Sequence, residues 1–224
     1  MERLVRKRVK TWIIEGTIAS GKSSFIEYLN THWENRYKNI ETLGEPLEQW
    51  RDIRGENILQ LMYDNPKRWG FAFQSYAQLT MLKQHLKTTR NDNSYKVIER
   101  SLFSAKLCFT DLFYTLGYLS EIEHNILDEW YKHLINTEPL LTVDYIVYLK
   151  TDPKVALERL RNRARVEENL IDLDYIKLLN VQYEQVFLKA PFSKGPVFVL
   201  NGNLNQSEIE LEYKRIINIM KNLI

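Results

Sequence analysis

The stretch Thr11–Ser24, TWIIEGTIASGKSS, decides the fold of this 224-residue chain. An apolar run closes on Gly16, and Gly21 is followed at once by Lys22 and Ser23, which matches the G-x-x-x-x-G-K-[ST] phosphate loop at every fixed position. Glycine is expected twice because side chains there would keep the backbone N–H groups away from phosphate oxygens. The stretch predicts a strand, a phosphate loop and a helix that together bind a nucleoside triphosphate.

The residues of this loop have distinct expected roles. Lys22 is expected to neutralise the β- and γ-phosphates of ATP, and the Ser23 hydroxyl to hold the accompanying Mg²⁺. The helix that begins there adds the positive end of its dipole. The loop spans residues 16–23, and the predicted ATP-binding residues in and just after it are Gly16, Thr17, Ile18, Ala19, Ser20, Gly21, Lys22, Ser23 and Ser24.

Length and composition predict one domain with a small anionic ligand. The chain is 44% hydrophobic and 27% charged, which suffices for one sizeable core. A formal net charge of +2 provides no basic field of the kind that nucleic-acid binders carry, so no nucleic-acid partner is expected. We therefore expect residues 1–224 to form a single nucleotide-handling domain.

Cysteine and histidine usage predicts a reducing compartment and no protein-bound transition metal. Cys108 is the only cysteine, which excludes an internal disulfide, and the four histidines show no metal-ligand spacing. No apolar run approaches about eighteen residues, and the basic opening MERLVRKRVK leads directly into the first strand. The expectation is an intracellular protein of cytosol or nucleus, with no membrane partner and no targeting peptide.

Short β-branched or aromatic runs alternate with longer helical patterns, which is typical of an α/β fold with a parallel sheet flanked by helices. The predicted strands are Thr11–Glu15, Asn39–Leu43, Tyr95–Glu99, Val143–Leu149 and Pro196–Leu200. The predicted helices are residues 22–33, 56–64, 66–87, 102–117, 120–136, 154–163, 174–188 and 206–223. Loops are expected at residues 90–94 and 190–196.

Charged residues follow two of the predicted strands, at the edge where open α/β sheets bind their ligands. Glu45 follows the second strand and is held extended by Pro46. Glu99 and Arg100 end the third strand, where they could form a plain surface salt bridge. They could instead hold Mg²⁺ and phosphate oxygens at the same crevice. Both interpretations of the pair stay open at this point.

A cluster of arginines follows the fourth predicted strand and helps to identify the class of reaction that the protein catalyses. Arg159 and Arg163 lie four residues apart on one helix face, and Arg165 follows at the helix end. A solvated helix face could carry such charges. Guanidinium groups that close over ATP would instead stabilise the transferring phosphoryl group and exclude water. An arginine-rich lid at about residues 159–168, beside a phosphate loop, indicates a small-molecule kinase.

Five stretches make the chain resemble the deoxyribonucleoside kinase family, closest to its insect multisubstrate and mitochondrial thymidine kinase branch. In order along nearly the whole chain they are GTIASGKSS, EPLEQW, LMYDNPKRWGFAFQSYAQLTML, ERSLFSAKLCF and RLRNRARVEE. The resemblance implies a P-loop kinase fold with a five-stranded parallel sheet. It also implies ATP with Mg²⁺ as donor, a deoxynucleoside as acceptor, a homodimer, and feedback inhibition by a deoxynucleoside triphosphate.

The resemblance also implies roles for the reacting groups. Glu45 would be the general base that takes the proton from the nucleoside 5′-hydroxyl. Arg100 would bind near this hydroxyl and the incoming phosphoryl group, and Lys22 completes the expected catalytic set. Glu99 would join Ser23 in holding Mg²⁺ through the phosphates.

The implied acceptor pocket surrounds a deoxyribose and its base. Tyr63 and Glu168 would hold the sugar 3′-hydroxyl, and Gln74 would read the base edge with its two-sided amide. The implied substrate-binding residues are Glu45, Trp50, Met62, Tyr63, Phe73, Gln74, Ala77, Met81, Arg100, Ala105, Phe109 and Glu168. Aromatic and methionine side chains at helical spacing are also ordinary core residues, and a base pocket inside the core satisfies both interpretations.

Three pocket positions, Ala77, Met81 and Ala105, bear on the choice of base. By resemblance, the deoxycytidine kinase branch carries an arginine and an aspartate where this chain has Met81 and Ala105. The apolar wall here can take the thymine 5-methyl group, and Gln74 can offer a donor or an acceptor to either pyrimidine. Thymidine and deoxycytidine are the expected substrates, and the small Ala77 leaves room for slower purine turnover.

The chain departs from the family pattern at a few positions, and two alternative functions stay open. Ala19 stands where many members have glycine, and Gly70-Phe71-Ala72 replaces a proline-containing stretch. A nucleoside monophosphate kinase of the thymidylate kinase type would need cationic groups for the acceptor phosphate, where this chain has Glu45 and the neutral Gln74. A non-catalytic P-loop module that only binds nucleotide would not need these groups or the arginine lid.

Overall fold

The computed structural model of the protein describes residues 9–33, 40–89, 95–189 and 195–223. Within them one five-stranded parallel sheet has the strand order β2-β3-β1-β4-β5. Its strands are β1 (Thr11–Glu15), β2 (Ile40–Leu43), β3 (Tyr95–Glu99), β4 (Tyr145–Lys150) and β5 (Val197–Asn201). The predicted α/β fold and all five predicted strands are confirmed. The predicted strand residue Asn39, the loop at 90–94 and residues 190–194 of the second loop lie outside the described residues.

β1 occupies the middle of the sheet because it can be buried on both faces. All five of its residues are buried, and Ile13 lies opposite Ile98 of β3 and Ile146 of β4. Continuous apolar runs of this kind are typical of parallel strands covered by helices on both sides. The central position of β1 places the phosphate loop, which follows Glu15, at the middle of the carboxyl edge of the sheet.

The helices of the described residues cover this sheet and extend beyond it. The α-helices are α1 (Lys22–His32), α2 (Leu47–Arg51), α3 (Ile58–Asp64), α4 (Pro66–Leu86), α5 (Leu102–Ser104), α6 (Asp111–Thr115), α7 (Glu121–Thr137), α8 (Pro153–Arg163), α9 (Leu173–Glu184) and α10 (Gln206–Leu223). A π-helix, Ala105–Thr110, joins α5 to α6, a second one, Gln185–Lys189, extends α9, and a 3₁₀ turn, Val166–Glu168, separates α8 from α9.

Two of these features differ from the prediction. The helix predicted at 102–117 is a short α-helix, a π-helix and another short α-helix that ends at Thr115. Helix α2 was not predicted, since five residues are too few for a helical period to show. The remaining predicted helices are confirmed within two residues at each end, except that the one at 174–188 closes as a π-helix.

Three apolar clusters hold these layers together. On one face of the sheet, α1 and α10 bury Phe25, Leu29 and Ile216 against β1 and β4. On the other face, α8 and α9 bury Leu160 and Ile176. The third cluster is formed mainly by α3, α4, the π-helix segment and α7, and it lies beside the sheet. No helix in the described part of the chain is long and apolar enough to cross a membrane.

Candidate active site

A cavity of about 870 Å³ opens where the phosphate loop, the segment after β2 and the end of β3 meet. Every predicted site residue lines it except Gly16 and Thr17, the first two residues of the phosphate loop. Four lining residues on the acceptor side were not predicted, namely Leu47, Leu59, Phe113 and Tyr175. At the opposite end the cavity also reaches Glu27, Tyr28, Thr31, Leu204, Asn205, Gln206, Ile209 and Tyr213, which were not predicted either.

The two glycines of the phosphate loop are required by the backbone. Gly16 has φ +147°, and a Cβ there would lie 2.7 Å from Ser20 Oγ and 2.8 Å from the Leu149 carbonyl oxygen. Its role is close packing against β4, a different reason from the predicted approach of phosphate. Gly21 has φ +100°. Ala19 has φ 56°, a conformation that costs an L-residue about 1–2 kcal/mol, so the departure from glycine here is tolerated with strain.

Lys22 is buried at the base of this loop. Its Nζ donates to the carbonyl oxygens of Gly16 at 3.1 Å and Thr17 at 2.8 Å. Burial, followed by the nearby charge of Arg100, lowers the pKa of Lys22 to about 7, although carboxylates such as Glu99 oppose the shift. An incoming triphosphate would supply the negative charge that favours the ammonium form.

Ser23 and Glu99 form a pair of oxygen ligands at the cavity wall. The Ser23 hydroxyl donates to Glu99 Oε1 at 2.7 Å. Hard oxygen donors of this kind suit Mg²⁺, which keeps several waters and takes further oxygens from phosphates. The described residues contain no cluster of three His, Cys, Asp or Glu side chains able to hold a metal. The pair therefore fits a Mg²⁺ ion that is carried in with the triphosphate.

Glu45 and Arg100 meet at the centre of the cavity. Arg100 Nε lies 2.7 Å from Glu45 Oε1, with the arginine side chain 5% exposed. The Nε–H group has no aligned hydrogen-bond acceptor among the described residues, so the contact is an ion pair. Arg100 also has φ 62°, an uncommon backbone conformation that is often found at functional sites. Of the two interpretations left open for Arg100, the structure excludes a surface salt bridge.

The acceptor side of the cavity combines apolar walls with one amide. Gln74, on α4, is buried, and its Oε1 accepts a hydrogen bond from the Thr110 hydroxyl at 3.2 Å. Its Nε2 has no hydrogen-bond partner among the described residues. Trp50 donates to Thr80 Oγ1 at 2.9 Å and stands edge-on to Phe73, with ring centroids 5.3 Å apart. An unpaired buried amide in a rigid apolar pocket is able to recognise a polar planar ligand.

Tyr63 and Glu168 lie where the acceptor pocket meets the lid. Burial, followed by Tyr175 and Glu168, raises the pKa of the Tyr63 phenol well above its usual range, so it remains a neutral donor. Glu168 belongs to the 3₁₀ turn, and its side chain is 8% exposed. Its neighbour Glu167 pairs instead with Arg51 of α2, with Oε1 2.7 Å from Arg51 Nε.

The predicted lid arginines differ in their contacts. Arg163 donates from Nη2 to Glu168 Oε1 at 2.6 Å, and Arg165 lies 3.5 Å from the same oxygen. Arg159 donates to the carbonyl oxygens of Gly202 at 2.6 Å and Leu204 at 3.3 Å. Arg159 therefore lines the cavity and also ties α8 to the loop after β5, whereas Arg163 and Arg165 contact Glu168.

A phosphate loop at the end of a central parallel strand, a carboxylate paired with a buried guanidinium in front of it and an arginine-bearing lid define a P-loop phosphotransferase with an acceptor pocket. The model of the deoxynucleoside kinase family matches residues 12–224. The chain belongs to this family, and it is an ATP-dependent deoxynucleoside kinase. Neither alternative, a nucleoside monophosphate kinase or a non-catalytic module, is supported.

Relatives that are similar to this chain are named for different nucleosides. The chain is 35% identical over 192 residues to human mitochondrial thymidine kinase 2, covering 85% of this chain and 69% of the relative. It is 37% identical over 193 residues to a probable deoxycytidine kinase of fowlpox virus, covering 85% and 77%. It is 32% identical over 201 residues to mitochondrial deoxyguanosine kinase of Xenopus laevis, covering 81% and 74%.

Proposed function

We propose that this kinase phosphorylates the 5′-hydroxyl of thymidine and deoxycytidine in preference to purine deoxynucleosides. The main observation that supports this proposal is that Nε2 of Gln74 has no hydrogen-bond partner among the described residues. It lies in a pocket whose wall includes Met81 and Ala105. An amide can pair with either pyrimidine edge, and an apolar wall accepts the thymine methyl group, whose burial contributes about 0.8 kcal/mol. The names of similar proteins, which include a thymidine kinase and a deoxycytidine kinase, support the same choice.

Proton removal from the acceptor is assigned to Glu45. Its ion pair with Arg100 keeps a carboxylate at the centre of the cavity without an aligned hydrogen bond that would occupy it. The carboxylate is therefore available to accept the proton of the 5′-hydroxyl as the bond to phosphorus forms. Arg100, buried and charged, would stabilise negative charge on the transferring phosphoryl group.

The donor is held from three sides in this proposal. Lys22 and the backbone N–H groups of the phosphate loop bind the phosphates, and Arg163 and Arg165 close over them. Ser23 and Glu99 would hold Mg²⁺, which supplies positive charge to the phosphate oxygens when it is bound. Exclusion of water by the lid favours transfer to the nucleoside over hydrolysis.

Tyr63 and Glu168 are assigned to the sugar 3′-hydroxyl. A phenol and a carboxylate offer one donor and several acceptors, which satisfies a hydroxyl in both directions. The pocket is built of large side chains at this point, including Tyr175, which favours a deoxyribose with a bare 2′ position.

The test is steady-state kinetics with ATP and each of the four natural deoxynucleosides, with thymidine monophosphate as the comparison acceptor. We expect kcat/KM for thymidine and deoxycytidine to exceed that for either purine, and no turnover of the monophosphate. The double variant Met81→Arg/Ala105→Asp should lower kcat/KM for thymidine more than for deoxyadenosine, because a charged pair would replace the apolar wall. Preference for deoxyguanosine, or refusal of thymidine, would contradict the proposal.

We also propose that the kinase is a homodimer. Helix α7 presents Ile122, Ile126 and Trp130 at four-residue spacing, and they are 66%, 49% and 47% exposed. Leu79 of α4, the helix on which α7 packs, is 38% exposed. A contiguous stripe of large apolar side chains is unusual on a monomer and is typical of an interface between subunits.

Feedback inhibition by a deoxynucleoside triphosphate is proposed on the continuity of the cavity. One space of about 870 Å³ joins Gln74 to the phosphate loop, so a single molecule could place its base at one end and its phosphates at the other. Thymidine triphosphate should then inhibit competitively against both thymidine and ATP. Inhibition that is noncompetitive against both substrates would point to a separate site.

A further inference from the structure

Arg100 is held by more than its ion pair. Its Nη1 lies 3.3 Å from the Gly16 carbonyl oxygen and donates a hydrogen bond to the Tyr183 hydroxyl. Its Cζ lies 4.8 Å from the centre of the Phe109 ring. Of the groups that contact Arg100, Glu45 is charged and follows β2, whereas Tyr183 is neutral and belongs to α9. The direction of the guanidinium therefore depends on neutral contacts as well as on its partner carboxylate.

Tyr183 is itself fixed by its surroundings. It is fully buried, and its ring stacks on Phe187 at 5.6 Å and on Tyr148 at 6.4 Å, with interplanar angles of 18° in both cases. Phe109 meets the ring edge-on at 6.2 Å. Three aromatic rings packed around the phenol restrict the movement of its oxygen. Burial raises the pKa of Tyr183 well above its usual range, so the group stays neutral.

Tyr183 does not line the cavity, and so it touches neither substrate. We propose that Tyr183 is a positioning residue for phosphoryl transfer, because its hydroxyl holds the Arg100 guanidinium in the orientation in which it pairs with Glu45. The proposal rests on the roles assigned above to Arg100 and Glu45. Small displacements of a charged group at a reacting centre can lower rates by about 100-fold, so a fixed phenol is sufficient to affect turnover.

The test compares Tyr183→Phe with the matched control Tyr148→Phe. Tyr148 is fully buried in the same aromatic stack, and its hydroxyl has no hydrogen-bond partner among the described residues. Both variants keep the ring and lose one buried oxygen. We expect Tyr183→Phe to lower kcat for thymidine at least 10-fold, with the Kd for thymidine, measured by calorimetry without ATP, within threefold of wild type. Tyr148→Phe should keep kcat within twofold.

A second measurement separates positioning from general loosening. In an Arg100→Lys background, Tyr183→Phe should lower kcat less than threefold further, since both changes remove the same interaction. Tyr183→Met, whose flexible side chain also fills apolar space without a hydroxyl, should lower kcat to a similar extent as Tyr183→Phe.

Equal kcat values in Tyr183→Phe and Tyr148→Phe would overturn the proposal. So would independent effects of Tyr183→Phe and Arg100→Lys on kcat. If Tyr183→Phe does not fold, Tyr183→Met carries the test, and a kcat for that folded variant within twofold of wild type would also overturn the proposal. Wild type and Tyr148→Phe test the proposed function separately. If neither of them phosphorylates thymidine, the proposed function is refuted, and the result says nothing against the role of Tyr183.

Discussion

Arg163 and Glu168 form a bidentate pair: Nε lies 2.9 Å from Oε2, and Nη2 lies 2.6 Å from Oε1. One member is assigned to the donor phosphates and the other to the acceptor sugar, so the pair joins the two halves of the site. Two parallel charge-assisted hydrogen bonds fix the geometry more firmly than a single contact. We therefore expect donor and acceptor binding to be coupled through the lid.

Because of this coupling, substitutions of the two lid arginines should differ in their effect on thymidine binding. Arg165→Gln should lower kcat roughly 10- to 100-fold with near-unchanged thymidine affinity, because it removes a charge that acts on the transferring group. Arg163→Gln should lower kcat and also weaken thymidine binding, since it leaves the buried Glu168 without its bidentate partner. Kinetics and calorimetry without ATP check both, with Lys154→Gln, an exposed change on α8, as control. Identical losses of thymidine affinity in the two arginine variants would contradict the assignment.

Replacement of the proposed general base gives the second prediction. Glu45→Gln should lower kcat by roughly 100-fold or more while thymidine still binds, the usual range for a positioned proton acceptor. Glu48→Gln is the matched control, because its side chain is 88% exposed on the adjacent helix and pairs with Arg51. Turnover in Glu45→Gln at the wild-type rate would sink the assignment.

Glu15 predicts a pH dependence of stability. Its loss of hydration raises its pKa from 4.5 to about 7, against the opposing Ser101 hydrogen bond and Arg100 charge. Between these values the folded protein binds more protons than the unfolded chain, so the free energy of unfolding falls as pH rises, by up to about 3 kcal/mol. Lys22, with its pKa lowered from 10.5 to about 7, acts above this window and in the opposite direction.

Thermal unfolding of wild type and Glu15→Gln from pH 4.5 to pH 7 measures this effect. The variant carries no titrating group at this position, so its Tm should fall less across the window than that of wild type. Glu48→Gln should follow the wild-type curve, because its exposed side chain loses little hydration on folding. Parallel curves for wild type and Glu15→Gln would show that Glu15 titrates alike in both states.

The exposed apolar face of α7 leads to a prediction about the molecular mass of the protein in solution. Wild type should elute with light scattering near twice the 26.8 kDa of one chain. Ile126→Lys/Trp130→Lys should elute near one chain mass, because two charges would have to be buried at the interface. Leu211→Lys, at a residue 65% exposed on α10, should leave the dimer intact. A wild-type monomer would refute the proposal.

Local patterns accounted for the strands, the phosphate loop and the lid. The motifs accounted for about two thirds of the cavity lining, because residues at strand ends and on one helix face are placed by regular geometry. Contacts between distant segments had no local signal. The bond from Arg100 to Tyr183 spans 83 positions, and the carbonyl partners of Arg159 come from a loop 43 and 45 positions away. Tyr175 likewise reaches the pocket only because α9 folds back after the lid.

The π-helix at Ala105–Thr110 bears on how this pocket can change in evolution. Ala105, Phe109 and Phe113 all reach the cavity from the segment that contains it. A π-helix carries an extra residue per turn, so the loss of one amino acid there would restore a regular α-helix. Everything beyond the deletion would rotate by about 100° relative to the residues before it. A single-codon deletion could thus alter which side chains meet the base without altering any of those side chains.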